Sequence, residues 1–307
     1  MGSPLTSAEF VRLMKNDLRE VSDGEFKAMP SLIPTLYRVL SSQQASEEFY
    51  GVTGMPDVPT FNGKLTYLPS YPGYYTKIEP KEFAAGRVTE RKFIDDNQYS
   101  VLTNNAKGLV RSMARTREKY AARPFAYATS TAFDFMESEE GVALASDSHT
   151  TKSGTSTSSG FDNLGSSALS KTSLAATWLA MRRFRDPISE RFEMDDSYTV
   201  IVPDALGDTL EELVKTPKSL DQAEGNINPQ EGRYAILRYL RLDDYDTNNW
   251  MMVNRTLMKE ALLWIDRVSN ESNTMVDFET FQVKHSIYGR WGFGFKDWRW
   301  MYYHAVS

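Results

Sequence analysis

WGFGFKDWRWMYYH, residues 291–304, is the stretch that decides the architecture. Seven of its fourteen residues are Trp, Phe or Tyr. Trp291, Phe293 and Phe295 alternate with smaller or polar neighbours, and Trp298, Trp300 and Tyr302 repeat the pattern. That is period two, which predicts a strand with one heavily buried face. Such a strand needs a core, and the apolar stripe able to supply one lies far upstream. In residues 97–122, Leu102, Ala106, Leu109 and Met113 fall at offsets 0, 4, 7 and 11, with Val110 and Tyr120 beside them. This spacing predicts the longest helix of the chain, capped by Asp96 or Asn97 and closed by Pro124. Its other face carries Lys107, Arg111, Arg115 and Lys119, read as a solvated or subunit-facing surface. A helix and a terminal strand sharing a core imply that the two ends of one domain flank an inserted one.

Composition narrows the function. The chain has 307 residues, with 35 Lys and Arg against 41 Asp and Glu, a formal charge of −6. Gripping a nucleic-acid backbone needs clustered positive charge, so this balance argues against it as the main activity. The absence of cysteine excludes disulfides, thiolate metal sites and cysteine nucleophiles. With no apolar run near bilayer length and no signal-peptide layout, a soluble intracellular chain without a membrane partner is expected.

Residues 7–21 predict a short amphipathic helix, followed through Glu48 by an arm of small elements. From Tyr50 to Gly73, dense Gly and Pro predict turns and short extended pieces. Ten of the twenty residues from Lys77 to Asp96 are charged, five of each sign, and no apolar stripe runs through them. As a β-hairpin this ribbon cannot seal a core, and an isolated hairpin is marginal in water. It therefore either rests on something outside its own subunit or is a mobile loop. The candidate contact residues are Lys77, Glu79, Lys81, Glu82, Arg87, Glu90, Arg91 and Lys92.

Downstream, residues 146–160 are Ser, Thr or Gly at twelve of fifteen positions and predict a flexible surface loop. Ser170 caps a helix carrying Leu174, Trp178 and Met181. YTVIV (198–202) is a strand, and a helix with Leu206, Leu210, Leu213 and Val214 follows. After a Pro/Gly/Asn-rich loop at 216–232, RYAILRYLRL and WMMVN predict strands joined by DDYDTNN.

Catalytic chemistry is not legible. The three histidines are His149, in a Ser/Thr/Gly-rich loop unsuited to a triad, and His285 and His304, in predicted strands. Asp243, Asp244 and Asp246 read as a polar turn rather than a cation loop. Walker A, dinucleotide and zinc motifs do not occur, so no catalytic, cofactor-binding or metal-ligating residue is expected, and the chain reads as a non-enzyme.

The order of parts resembles the major capsid proteins of tailed bacteriophages, with their Hong Kong 97-type fold, and is nearest to the Mu-like major head subunit group. The resembling stretches are SEEFYGVTGMPDVPTFNGK (46–64), YYTKIEPKEFAAGRVTERKFIDD (74–96), GVALASDSHT (141–150), YTVIVPDAL (198–206) and YGRWGFGFKDWRWMY (288–302). The SGTSTSSG insert after His149 and the Trp-rich end depart from the family pattern. The resemblance implies an α+β fold in four parts. They are an N-terminal arm (1–55), an extended β-hairpin loop (56–96), a peripheral domain with a spine helix (97–190 and 276–307) and an inserted axial domain (191–275). It further implies self-assembly into pentamers and hexamers of an icosahedral head around double-stranded DNA, with weak DNA contact. Scaffold and portal proteins, with decoration proteins as a further option, are the other partners. The location that the resemblance implies is the virion capsid, assembled in the host cytoplasm. An encapsulin-like nanocompartment shell is the alternative.

Overall fold

The computed structural model describes residues 7–90, 92–96, 98–217 and 227–306. Arg91, Asn97 and part of the 216–232 loop lie outside them. The centre of the molecule is an antiparallel pair made by β10 (Leu262–Val276) and β11 (Val283–Phe295). β1 (Arg38–Ser41) adds in parallel to β10, and β4 (Lys81–Thr89) adds antiparallel to β11, giving the order β1-β10-β11-β4. The long helix α4 (Tyr99–Ala126) lies across one face of this sheet, and α1 (Ser7–Ala28) packs beside it.

Periodicity explains that packing. Along β11, Val283, His285, Ile287 and Trp291 are buried at alternate positions. Val283 meets Leu18, Leu102 and Ala106, and Ile287 meets Leu109, Val110 and Met113. The predicted helix stripe is therefore covered by the first half of β11, ahead of the predicted strand, whose Trp291 meets the helix farther along at Tyr120. The helix is longer than expected, because Pro124 sits in its last turn rather than ending it. Its N-cap position is Gln98, with no side-chain cap bond. A separate short turn, α3 (Lys92–Asp95), comes before it, so Asp96 does not act as the expected cap. The helix predicted at 7–21 also runs on to Ala28, through Gly24, because α4 supports its face.

The tail is two strands rather than one. β11 ends at Phe295, residues 296–300 turn, and β12 (Met301–His304) enters a different sheet. That sheet has the order β6-β12-β9-β7-β8, with β6 (Leu164–Gly165), β9 (Trp250–Asn254), β7 (Tyr198–Val202) and β8 (Ala235–Arg238). The two predicted strands β8 and β9 are not neighbours, since β7 lies between them. Every side chain of β7 and β9 is buried, which explains their near-continuous apolar runs, interrupted only by Thr199 and Asn254. α5 (Lys171–Met181) starts at the predicted Ser170, whose hydroxyl accepts the Ser173 N–H while the Ser173 hydroxyl accepts the Ser170 N–H. α6 (Gly207–Lys215) buries Leu210, Leu213 and Val214 as its spacing predicts. The acidic trio forms a turn: Asp243 accepts from Asp204 and Ala205 N–H, and Asp246 from Asn248 and Asn249.

The predicted 74–96 hairpin does not form. β3 (Tyr75–Ile78) pairs with β2 (Glu47–Tyr50) and β5 (Met136–Ser138) in a third sheet, while β4 pairs only with β11. The physical reason is Ile78-Glu79-Pro80. Ile78 is fully buried, the Glu79 N–H donates to Phe135 O, and the chain turns into another sheet before it can fold back on itself. The boundary expected at 275 also falls inside β10, which belongs to the four-stranded sheet from Leu262 onward.

Candidate subunit-contact surfaces

Between β2 and β3 the chain leaves the body of the fold. The pair continues past its strands through Gly51 N–H to Tyr74 O (2.8 Å) and reciprocal bonds between Gly54 and Tyr71 (3.0 and 2.9 Å). This neck demands glycine. A Cβ at Gly73 would lie 2.3 Å from Val52 O, and one at Gly51 would lie 2.8 Å from Lys296 O. Beyond the neck, residues 55–70 have no regular structure. Met55 is 59% exposed, Phe61 69%, Leu65 72%, Val58 87% and Tyr67 91%. Burying one such side chain is worth about 1.5–3 kcal/mol, so five on one loop make a large exposed apolar surface.

A polar network holds the neck from below. Tyr74 and Thr150 hydroxyls lie 3.0 Å apart, and Thr150 N–H donates to Glu140 Oε1 (2.8 Å). The same oxygen lies 3.1 Å from His149 Nδ1, while Nε2 lies 3.1 Å from Asn163 Oδ1. The imidazole stacks on Trp298 at 4.1 Å and is 1% exposed. Beside it, Lys152 pairs with Glu139 at 2.5 Å and holds that carboxyl below its usual range. The expectation of a floppy loop around His149 is therefore corrected. The hydroxyls of Thr151, Ser153 and Thr155 all donate to Pro187 O, so the Ser/Thr content anchors the segment instead of loosening it.

The charged candidates do not converge on one point. Lys77 belongs to β3, half-buried and 3.8 Å from Glu137. Glu79 is exposed at the turn between sheets. Lys81, Glu82 and Arg87 are exposed on β4, an edge strand. There Lys81 lies over the Phe135 ring at 5.2 Å and Arg87 donates to Asn105 Oδ1 at 3.5 Å. Lys92 pairs with Glu90 at 2.6 Å, an exposed contact of little stabilising value. Arg91 lies outside the described residues. The exposed apolar side chains at 55–67 are not legible from periodicity, because they are spaced irregularly among turn formers, and only the count of large apolar residues in so Gly/Pro-rich a stretch signals them.

No group of His, Asp and Glu able to hold a metal occurs among the described residues. A cleft of about 220 Å³ is lined by Tyr127, Phe133, Phe293 and Phe295 and contains the Arg123–Asp134 pair at 2.8 Å. Burial raises the Asp134 carboxyl, opposed by Arg123 and Lys81, but the cleft offers no nucleophile and base together. No described helix is long and apolar enough to cross a membrane.

His304 is fixed as a neutral ring. Its Nδ1 accepts the Ser167 N–H (3.2 Å), Nε2 faces Thr177 Oγ1 (2.7 Å), and the ring stacks on Trp250 at 4.1 Å. Burial pushes it down from 6.5 to about 4. The unfolded chain then binds the extra proton, so this contribution is fully present above about pH 6.5 and is lost as pH falls toward 4, by about 3 kcal/mol. His285 is lowered for the same reason and acts in the same direction. Thermal unfolding of the free subunit between pH 7 and 4 is therefore expected to show a smaller acid loss in His304→Gln than in the parent chain. An unchanged pH slope would contradict the neutral-ring assignment.

Residues 76–304, about three quarters of the chain, match the family described as phage capsid protein. The chain belongs to that family. Solved structures agree on the fold. The capsid of an empty GTA particle superposes with a TM-score of 0.57 at 11% identity, covering 94% of this chain and 98% of that one. The capsid of a native GTA particle gives 0.54 at 11%, covering 91% and 92%. The procapsid of bacteriophage JBD30 gives 0.54 at 13%, covering 98% and 76%. No curated protein matches the sequence. This phage capsid protein is thus a structural protein with the α+β fold seen in those capsid structures, and its place is the virion capsid.

Proposed function

We propose that this capsid protein self-assembles into the pentamers and hexamers of an icosahedral head enclosing double-stranded DNA, and that the loop from Gly54 to Tyr71 makes the principal contact with a neighbouring copy. The observation that carries this reading is the loop itself, five large apolar side chains held out from the body on a glycine neck. The exposed charges of β4, together with Glu90 and Lys92, form the rim of the same contact, where ion pairs set register more than strength. The five-stranded sheet of β6, β12, β9, β7 and β8 serves as the axial domain, which takes in the C-terminal strand along with the inserted region. The sheet of β4, β10 and β11 with α4 serves as the peripheral domain. The collinear motifs favour the Mu-like group, with assembly in the host cytoplasm alongside scaffold and portal proteins.

The test replaces Phe61, Leu65 and Tyr67 together with serine. The free subunit should keep its circular dichroism spectrum and its melting temperature within about 2 °C, because these side chains touch no core. Shells or capsomer sheets seen by negative-stain microscopy should fall at least about tenfold, as each lost contact is repeated at every interface. Normal shell yield, or collapse of the free subunit, would overturn the assignment.

A further inference from the structure

α4 carries a surface that neither the core nor the loop contact uses. Asn104, Gly108, Arg111, Arg115 and Lys119 are all exposed, and their spacing of four, three, four and four residues puts them on one line along the helix. The helix holds six cations (Lys107, Arg111, Arg115, Arg117, Lys119 and Arg123) against one acid, Glu118, for a net +5 within a chain of −6. Three of the cations have acidic partners: Arg117 pairs with Asp266, Arg123 with Asp134 and Arg111 with Glu25. Glu118 is occupied by the Ser31 hydroxyl and Leu32 N–H. No carboxylate among the described residues pairs with Lys107, Arg115 or Lys119.

Gly108 adds a separate observation. Glycine within a helix costs about 1 kcal/mol relative to alanine, and a Cβ placed there would meet nothing within 4 Å. This chain's own packing does not call for glycine at that position, which sits in the middle of the basic line. A bare backbone flanked by cations suits something that must come close and is negatively charged.

We propose that the line Asn104–Gly108–Arg111–Arg115–Lys119 is a contact for the phosphate backbone of duplex DNA. It rests on the reading of the chain as a shell around DNA and names the surface that meets it. The line is about 22 Å long, matching about six base-pair steps, and Gly108 lets a phosphate approach the helix axis. The contact is electrostatic and independent of sequence. The negative charge of the rest of the subunit keeps it weak.

The experiment measures binding of the full-length subunit to a fluorescent mixed-sequence duplex of about 24 base pairs by anisotropy, across a salt series. Arg115→Glu with Lys119→Glu should weaken binding at least about tenfold at low salt and flatten the log–log salt slope by about two. Gly108→Ala should raise or leave unchanged the melting temperature and still weaken binding, a split that a purely structural role for Gly108 would not produce. Wild-type binding by both variants would overturn the proposal. So would variants that bind DNA normally but fail to assemble, because the line would then be a contact between copies. Loss of the shell reading itself has a different signature, parent subunits that stay monomeric whether or not they bind DNA.

Discussion

Replacing Trp291 with alanine is expected to cost the free subunit about 3–5 kcal/mol, the largest loss of any single core truncation here. The indole is fully buried and joins four parts of the chain. It stacks on Phe83 of β4 at 4.2 Å and Trp264 of β10 at 4.9 Å, and meets Tyr120 of α4 at 5.2 Å and Phe135 at 5.4 Å. The backbone around it cannot collapse into the space, because the sheet and the helix are both rigid. Trp291→Phe should be far milder, about 1–2 kcal/mol. It keeps most of the ring contact and removes an indole N–H that has no acceptor among the described residues. Urea unfolding should show the midpoint move without a change of slope. A loss below about 1 kcal/mol for the alanine variant would show that this cluster does not hold helix and sheet together.

Removing the Asp266 carboxylate should cost nearly as much, about 3–5 kcal/mol for Asp266→Ala. Arg117 reaches it with both terminal nitrogens, at 2.8 and 2.9 Å, and Trp264 donates its indole N–H to the same group at 3.0 Å. The Arg117 side chain is only 9% exposed and lies over the Trp264 ring at 5.1 Å. Without the carboxylate, a buried guanidinium loses its ion-pair partner and keeps only the Ser269 carbonyl at 3.3 Å, and the Trp264 indole N–H loses its acceptor. Pairing Arg117→Met with Asp266→Leu should recover most of the loss, since no charge then remains to be left unpaired. Equal instability of the single and double variants, read by chemical denaturation, would mean that shape rather than charge compensation is what the site supplies.

Trp291 and Asp266 illustrate different degrees of legibility. The burial of Trp291, Phe293, Trp298 and Trp300 follows from period two and aromatic content, and all four are at most 5% exposed. The Leu102–Met113 stripe, the Ser170 cap and the α6 face were equally readable, because each depends on residues three or four apart. The Arg117–Asp266 pair was not readable. Its members are 149 residues apart, and nothing local distinguishes Arg117 from the exposed cations around it.

The contact surfaces divide in the same way. The high charge of the ribbon 77–96 and its lack of an apolar stripe predict a segment without a core of its own, and seven of the nine residues of β4 are exposed. Its pairing partner, β11, lies about two hundred residues away, so the hairpin that local reasoning favours loses to a longer-range match. The Ser/Thr-rich segment shows the converse error. Composition marks it as unable to form a core, but three of its hydroxyls find one carbonyl on a distant turn.

By itself, the sequence determined particular elements and their apolar faces, among them the α4 stripe, the Ser170-capped helix, the α6 face and the aromatic alternation from Trp291, since side-chain periodicity and residue type are local properties. Only the tertiary structure decided which strands share a sheet, where the tail breaks between two of them, and that residues 55–67 rather than the charged ribbon form the large uncovered apolar surface. These depend on contacts between residues far apart in the chain, where the favourable burial of one surface is set by which other surface is free to cover it.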